Sequence, residues 1–248
     1  MGRRSKIIVI GGGGFVGGSI VKKCLAMGED CVSITRSDVD LSCEISSLKL
    51  KEIISSNDRV VFAAAKAPAK NFADYQSNIN MVKNFIDVCL VKTPRYILNI
   101  SSDAVFSDQR TPITEESPMV PNSHHGLMHL SREILLKLAS FSLANLRPTL
   151  IYGRDDPHNS YGPNRFYRLA KKEEEITLFG KGEELRDHVH IDDVGRLAYK
   201  MLDGVICEDL NAVSGQVISF FSIAKLIKEE LNSESKINIT ERQGPMPH

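Results

Sequence analysis

The chain has no excess of charge of either sign: 31 basic and 31 acidic side chains leave a formal net charge of zero over 248 residues. Without a long-range field there is no electrostatic footprint for nucleic acid or an anionic membrane. No apolar run reaches the roughly 18–20 residues that a bilayer-spanning helix needs. The opening MGRRSKIIVIGGGG is basic and then apolar, like a signal peptide. Its apolar stretch is short and runs straight into glycines, so it reads as a buried strand. Cysteine is sparse. Cys24, Cys31, Cys43, Cys89 and Cys207 are odd in number, scattered and without CxxC spacing. That argues against a zinc or disulfide framework and predicts reduced thiols in a cytoplasm. No HExxH pattern, internal repeat or low-complexity tract is present.

What is there is a regular alternation. Residues 6–10 (KIIVI) read as a β-branched strand, followed by a glycine turn and an amphipathic helix. A second strand is expected at 30–36, a helix in LKLKEIIS, and a buried third strand at 58–65. SNINMVKNFIDVCLVK has apolar residues at helical spacing, and 95–102 (RYILNISS) is a strand ending in hydroxyls. A loop with Pro112, Pro118 and Pro121 leads to a histidine-bearing helix and a strand over 142–153. Buried β-branched runs alternating with helices predict an α/β fold with a doubly wound parallel sheet.

From 154 the rhythm loosens into a turn-rich loop, the charged helix RFYRLAKKEEE, the strand and turn ITLFGKG, and helices IDDVGRLAYKMLDG and SIAKLIKEELN. Residues 1–153 are expected to form one domain that includes the histidine helix. Residues 154–248 are expected to form a smaller C-terminal α/β lobe, with elements free to cross between the two. The terminal ERQGPMPH is expected to add no further element, as if a last segment were dispensable or cut short.

Gly11, Gly14 and Gly17 give GxxGxxG between the first strand and a helix that opens with Phe15 and Val16. Without Cβ atoms the backbone turns tightly, and a pyrophosphate can approach the amides and positive end of the helix. In this strand–helix context the pattern marks the first domain as NAD(P)-binding. At the end of the second strand an acidic residue would hold ribose hydroxyls, but the chain offers Arg36, near Ser33, Thr35 and Ser37. A guanidinium suits a 2′-phosphate through paired charge-assisted bonds, which favours NADP over NAD. Asp40 and Leu41 are then candidates for the adenine edge. Ala63, Ala64 and Ala65 are candidates for a small-residue floor beneath the dinucleotide.

Six motifs occur in order: GGGGFVG, FAAA, NISSDAVFS, HHGLMHLSRE, LRPTLIYG and LFGKGEELRDHVHIDDV. With them the chain resembles the extended short-chain dehydrogenase/reductases, and within these the NAD-dependent epimerase/dehydratase family acting on nucleotide sugars. The resemblance spans residues 6–230. It implies a Rossmann-type cofactor domain, a smaller domain for the nucleotide sugar, and a homodimer. It also implies that Ser102, four residues before the aromatic Phe106, bonds the sugar oxygen being oxidised or reduced. Asp103 follows, as in sugar-nucleotide reductases and 4,6-dehydratases, but Ala104 stands where the dehydratases carry the glutamate that takes the C5 proton. Pro148, in LRPTLIYG, joins the cofactor contacts.

By the same resemblance the turn at Phe179 and Gly180 lies near the nucleotide base, and Arg186, whose fixed fork suits phosphate oxygens, approaches the diphosphate. His190, Asp192 and Asp193 would position that turn and cap the next helix. Leu150 stands where epimerases often have an asparagine facing the substrate, so the sugar contacts depart from those of a galactose epimerase.

The family's reactive pair is a tyrosine and, four residues on, a lysine. Here the two positions are His125 and His129. A phenol with a pKa of about 10 is a poor base at neutrality and needs the cation, whereas an imidazole near 6.5 is already mostly neutral. Losing both residues together is therefore coherent. His125 becomes the acid/base, and His129, one helical turn on, bonds the ribose or relays the proton. Two alternatives stand beside this: chemistry that uses Asp103, and loss of catalysis with cofactor binding retained. His125, His129 and Glu133 on one helix face could hold zinc. Without HExxH, and with a nicotinamide expected in that space, no metal is assigned.

The expectation is a cytoplasmic NAD(P)-dependent nucleotide-sugar enzyme, an epimerase or reductase acting by reversible hydride transfer at a ring carbon. Its alternative is a catalytically inactive NAD(P)-binding regulatory or scaffold protein. Neither nucleic acid nor a membrane is an expected partner.

Overall fold

The computed structural model describes residues 5–107, 112–157, 159 and 161–242. The basic residues 1–4 and the end of ERQGPMPH from residue 243 lie outside the described residues. The chain runs β1 (Ile7–Ile10), α1 (Phe15–Ala26), β2 (Cys31–Ile34), α2 (Glu44–Ser47), α3 (Leu50–Ile53), β3 (Arg59–Phe62), α4 (Phe72–Lys92) and β4 (Tyr96–Ile100). A 3-10 turn at Asp103–Val105 precedes α5 (His124–Leu138), β5 (Leu143–Pro148), β6 (Leu150–Tyr152), α6 (Pro163–Lys171), β7 (Ile176–Phe179) and β8 (Leu185–His190). Then come α7 (Ile191–Gly204), β9 (Leu210–Ala212), β10 (Val217–Ser219), α8 (Phe220–Leu231) and β11 (Ile237–Thr240).

The main sheet has the order β2-β1-β3-β4-β5-β9, and every pair in it is parallel. Parallel strands are covered on both faces, which is why β1 and β4 are buried at every position and read as unbroken apolar runs. The order reverses between β1 and β3, and a ligand of such a sheet sits beyond the strand carboxyl ends at that reversal. The residues leaving those two strands are Gly11 and Ala63. Beneath them lies a core in which Ile8, Ile10, Val60 and Phe62 meet Val82, Phe85 and Val88 of α4.

The single strand expected over 142–153 is two. β5 ends at Pro148, and after Thr149 the chain enters β6, which pairs with β8 in a separate three-stranded sheet, order β10-β8-β6. A proline has no N–H to carry a ladder onward, so the apolar run hides a change of sheet. Four strands escaped expectation: β8 and β10, which pair antiparallel with each other, and β9 and β11. β9 joins the main sheet beside β5, and β11 pairs in parallel with β7. The segments LNA and INIT are too short and polar to announce themselves, and their partners make them strands.

Contacts divide the chain into two units that are interleaved in sequence. The first holds the described residues up to Ser107, then Ile113–Thr149 and Ile191–Ala212; the second holds Leu150–His190 and the chain from Val213. The return of 191–212 to the first unit has a visible cause. A Cβ on Gly195 of α7 would stand 2.6 Å from Ser19 Oγ of α1, and that hydroxyl donates to the Ile191 carbonyl at 3.0 Å. The second unit has its own core, Phe166, Ile176, Leu178, Phe220 and Ile223, with the Tyr161 ring packed against Phe166, Phe179 and Phe220. No helix among the described residues is long and apolar enough to cross a membrane. All five cysteines are free thiols.

Candidate active site

At the β1 exit Gly11 has φ +89, and a Cβ there would stand 2.6 Å from the Ala64 nitrogen and 2.8 Å from the Ala63 carbonyl carbon. Two backbones touch, so only glycine fits. A Cβ on Gly17 would fall on the Gly11 carbonyl oxygen. Gly12, which GxxGxxG does not mark, is held as closely, because a Cβ would overlap Ser33 Oγ of β2. Gly14 is the N-cap of α1 and supplies no side-chain cap. The helix therefore opens at Phe15, Val16 and Gly17 with no side chain closing over its first-turn amides, as an anion site requires. These residues fit a dinucleotide pyrophosphate: the cradle exists only because Cβ atoms are missing.

Beyond β2, Arg36 is 80 % exposed in its side chain and its Nη2 lies 3.3 Å from Asp40 Oδ2. The other Asp40 oxygen accepts from the Ser42 hydroxyl (2.6 Å) and amide (2.9 Å). Those bonds, with Arg36, hold the Asp40 carboxyl below the usual carboxylate range. Leu41 is 3 % exposed: its side chain belongs to the core and its carbonyl accepts from Asn84 Nδ2 at 2.8 Å. Asp38, not singled out from the sequence, accepts from the Thr35 amide and hydroxyl at 2.8 and 2.6 Å.

Ala63, Ala64 and Ala65 lie past the end of β3 rather than within it. The loop they open is tied to α4. Lys66 N donates to Asn78 Oδ1 at 2.9 Å, and Lys70 N donates to Asp74 Oδ2 at 3.0 Å. From the same loop the Ala69 amide points to His125 Nδ1 at 3.5 Å.

Helix α5 starts at a Ser123 cap whose hydroxyl accepts from Gly126 N at 3.1 Å. It is pressed against the 3-10 turn, because a Cβ on Gly126 would overlap the Ala104 carbonyl oxygen. On that turn Ser102 Oγ accepts from Ala104 N and donates to Asp103 Oδ1, both at 3.2 Å. The His125 and His129 rings meet edge to face, centroids 4.7 Å apart. His129 is 5 % exposed and its Nδ1 has no partner. Burial, and then the charge of Arg132, pushes both imidazoles below their ordinary pKa, His129 well below.

Two residues of α5 matter more than sequence reasoning allowed. Arg132 is 1 % exposed, with Nη2 donating to the Phe62 carbonyl (3.3 Å) and Asn99 Oδ1 (3.1 Å). Burial pulls its pKa down to about 10. Glu133 is committed to other partners: its oxygens take Arg147 Nε (2.9 Å) and Nη2 (2.7 Å) and the Ser101 hydroxyl (2.5 Å). Arg147 Nη2 also reaches Asp209 Oδ2 at 2.9 Å, and Pro148 ends the same buried strand. Among the described residues no group of three or more His, Cys, Asp or Glu is arranged to hold a metal.

In the second unit Phe179 is partly exposed at the end of β7, its amide donating to Tyr161 Oη at 3.2 Å. Arg186 Nε donates to Glu184 Oε1 at 2.8 Å, and Arg242 takes the other Glu184 oxygen at 2.9 Å. A cavity of about 60 Å3 is lined by Leu150, Tyr152, Asp156, Tyr161, Asn164 and His188 among others.

A parallel sheet with a glycine cradle at its reversal defines a Rossmann-type dinucleotide-binding protein. The chain belongs to the NAD dependent epimerase/dehydratase family, whose model matches residues 7–211. It is 26 % identical over 259 residues to a protein of Oryza sativa subsp. japonica named "Probable GDP-L-fucose synthase 1", covering 94 % of this chain and 79 % of that one. Among solved structures it is similar to a UDP-glucose 4-epimerase of Thermus thermophilus in complex with NAD, with TM-score 0.86, 21 % identity and coverage of 98 % and 88 % of the two chains. It is also similar to a UDP-N-acetylglucosamine 4-epimerase from Bacillus cereus, with TM-score 0.86, 23 % identity and coverage of 96 % and 86 %. These likenesses establish the α/β fold with its Rossmann-type parallel sheet.

Proposed function

We propose that this chain is an NAD(P)-dependent nucleotide-sugar enzyme of epimerase or reductase type, in which His125 carries the proton that a tyrosine carries elsewhere in the family. The observation behind this reading is the backbone contact of Gly126 with Ala104, which seats the histidine helix on the turn bearing Ser102 and Asp103. When bound, NAD(P) supplies the hydride acceptor or donor for a sugar ring carbon. The residues of the chain do the rest. Gly11, Gly14 and Gly17, with the Phe15 and Val16 amides, take the pyrophosphate. Ala63–Ala65 and Pro148 line the dinucleotide, and Arg36 turns from Asp40 to a 2′-phosphate, which favours NADP. The Ser102 hydroxyl orients the sugar oxygen, and His125 accepts its proton or returns it. The 3.5 Å contact from Ala69 is too long to fix which ring nitrogen is protonated, so either can act. His129 bonds the ribose or relays the proton.

Phe179 and Arg186 would take the base and diphosphate of the nucleotide sugar, with Arg186 leaving Glu184 to do so. Asp103 is the alternative proton carrier. A second copy of the chain is the expected partner, and sedimentation at equilibrium tests it: α4 and α5 leave Leu90, Val91, Ile134 and Leu138 exposed.

The test incubates the purified protein with NAD(H) or NADP(H) and UDP-, dTDP- and GDP-sugars. Conversion of one of them is expected, with His125→Ala and Ser102→Ala each lowering it by about 100-fold or more. Conversion untouched by either substitution rejects the mechanism. Tight dinucleotide binding with no sugar converted would favour the second reading, an inactive cofactor-binding regulator, whose motive is the missing tyrosine and lysine.

A further inference from the structure

Arg132 follows His129 by three residues and His125 by seven, so all three share one face of α5. Long helical side chains lean toward the helix N-terminus, which here is the direction of the two rings. The guanidinium carbon stands 4.4 Å over the Phe62 ring, which itself stacks on Phe85 at 4.4 Å. The only bonds it makes among the described residues are to neutral oxygens, the Phe62 carbonyl and Asn99 Oδ1, while Nε and Nη1 have no partner. No carboxylate lies within ion-pair distance among the described residues, because the adjacent Glu133 is committed to Arg147 and Ser101. A buried cation with no carboxylate in contact, and only the more distant charge of Glu133 to offset it, is costly, and an apolar side chain would fill the space at less cost. Its place on the helix face that carries two imidazoles supplies a reason for the charge.

We propose that Arg132 is a positioning residue: its guanidinium, with no carboxylate in contact, adds to burial in keeping His125 and His129 uncharged, so that the first stands in its base form without a lysine at 129. The proposal rests on the acid/base reading of His125. The family's cation is thereby moved one helical turn along α5 and buried, where salt screens it little. An imidazole facing such a charge stays a base below neutrality, and once protonated it surrenders the proton readily.

Other ionisable groups on the elements around α5 are Asp103 on the 3-10 turn, Asp74, Lys66, Lys70 and Tyr75 on the α4 side, and Glu133, Arg147 and Asp209 toward β5. Asp74 is paired with Lys66 at 2.8 Å, and Glu133 and Asp209 with Arg147 at 2.7 and 2.9 Å. Comparison of a charge-keeping with a charge-removing substitution at 132 isolates the contribution of Arg132 from theirs.

The experiment follows the imidazole resonances of His125 and His129 by NMR against pH in the whole protein, without substrate. In the unsubstituted protein both midpoints are expected below the ordinary 6.5. Arg132→Lys should keep them low, and Arg132→Met should raise them toward 6.5. Asn99→Asp sets a carboxylate against Nη2, should raise them as well, and decides the matter if Arg132→Met does not fold. Midpoints at or above 6.5 in the unsubstituted protein, or unmoved in both charge-cancelling variants, overturn the proposal. Midpoints that move as expected in a protein that converts no sugar would uphold the electrostatic role and reject the acid/base reading instead. In active enzyme the acid limb of the kcat/KM profile should rise with the midpoints.

Discussion

Gly126 and Ala104 touch backbone to backbone: a Cβ on Gly126 would overlap the Ala104 carbonyl oxygen and stand 2.8 Å from Pro121 Cβ. The contact joins the residue after His125 to the turn carrying Ser102 and Asp103. Gly126→Ala gains about 1 kcal/mol of helix propensity but forces the helix off the turn, at a cost of about 1–3 kcal/mol for overpacking. The net change in stability should be a loss of about 0–2 kcal/mol. Displacing reacting groups by about 1 Å is enough to lower kcat by about 100-fold. Steady-state kinetics beside dinucleotide titration should show kcat falling with cofactor affinity intact; an unchanged kcat would mean that the contact does not position the histidine.

Gly11 and Gly28 form a matched pair for testing the cradle. Both have positive φ, +89 and +79, but a Cβ on Gly11 meets Ala63 and Ala64 while one on Gly28 meets nothing within 4 Å. Gly28→Ala should cost about 1 kcal/mol of stability and leave dinucleotide binding alone. Gly11→Ala should weaken binding at least about tenfold, because the β1 and β3 exits must separate, a displacement equivalent to 1.4 kcal/mol or more. Fluorescence titration with the reduced dinucleotide distinguishes the two. Equal affinities would remove Gly11 from the site.

These contacts show what local sequence can and cannot announce. The glycine turn was legible because its requirement is local: three residues without Cβ between a strand and a helix. The alternation of buried strands and helices was legible for the same reason, and with it the parallel sheet. Gly126 was not, because the atom that excludes its Cβ belongs to Ala104, far earlier in the chain. Arg132 reads as an ordinary polar helix residue until Phe62 and Asn99 close over it. Glu133 had the spacing of a metal ligand to the histidines, and the strand bearing Arg147 turned it elsewhere. The break at Thr149 was hidden because β5 and β6 are both apolar enough to read as one strand.

Arg36 and Asp40 form an exposed pair at 3.3 Å, which water and salt weaken to little net worth. A 2′-phosphate can therefore draw the guanidinium away. Arg36→Asp should weaken NADP about tenfold or more while changing NAD much less. Asp40→Ala should favour NADP modestly by freeing the guanidinium. Dissociation constants for the two dinucleotides in both variants provide the check, and equal losses in Arg36→Asp would take Arg36 out of cofactor choice.

Acid should unfold this protein earlier than its carboxylates require. Burial lowers the pKa of His125, His129 and His188 from 6.5, so below that value the native state binds fewer protons than the unfolded chain. The sign follows from linkage: stability is fully present above the unfolded value near 6.5 and is lost as pH falls toward the folded values. Each group contributes a slope of at most about 1.4 kcal/mol per pH unit in that window. The hydrogen-bonded Asp38, Asp40 and Asp74 have carboxyls lowered from 3.8, so their loss begins only near that lower pH. Tm measured from about pH 7.5 to 5 should hold level and then fall from about 6.5, ahead of carboxylate titration. His129→Gln should flatten the fall, because the most buried imidazole no longer has a proton to refuse. A Tm that stays level to pH 5 in the unsubstituted protein would show these rings to be solvated, and their neutrality would then owe nothing to the fold.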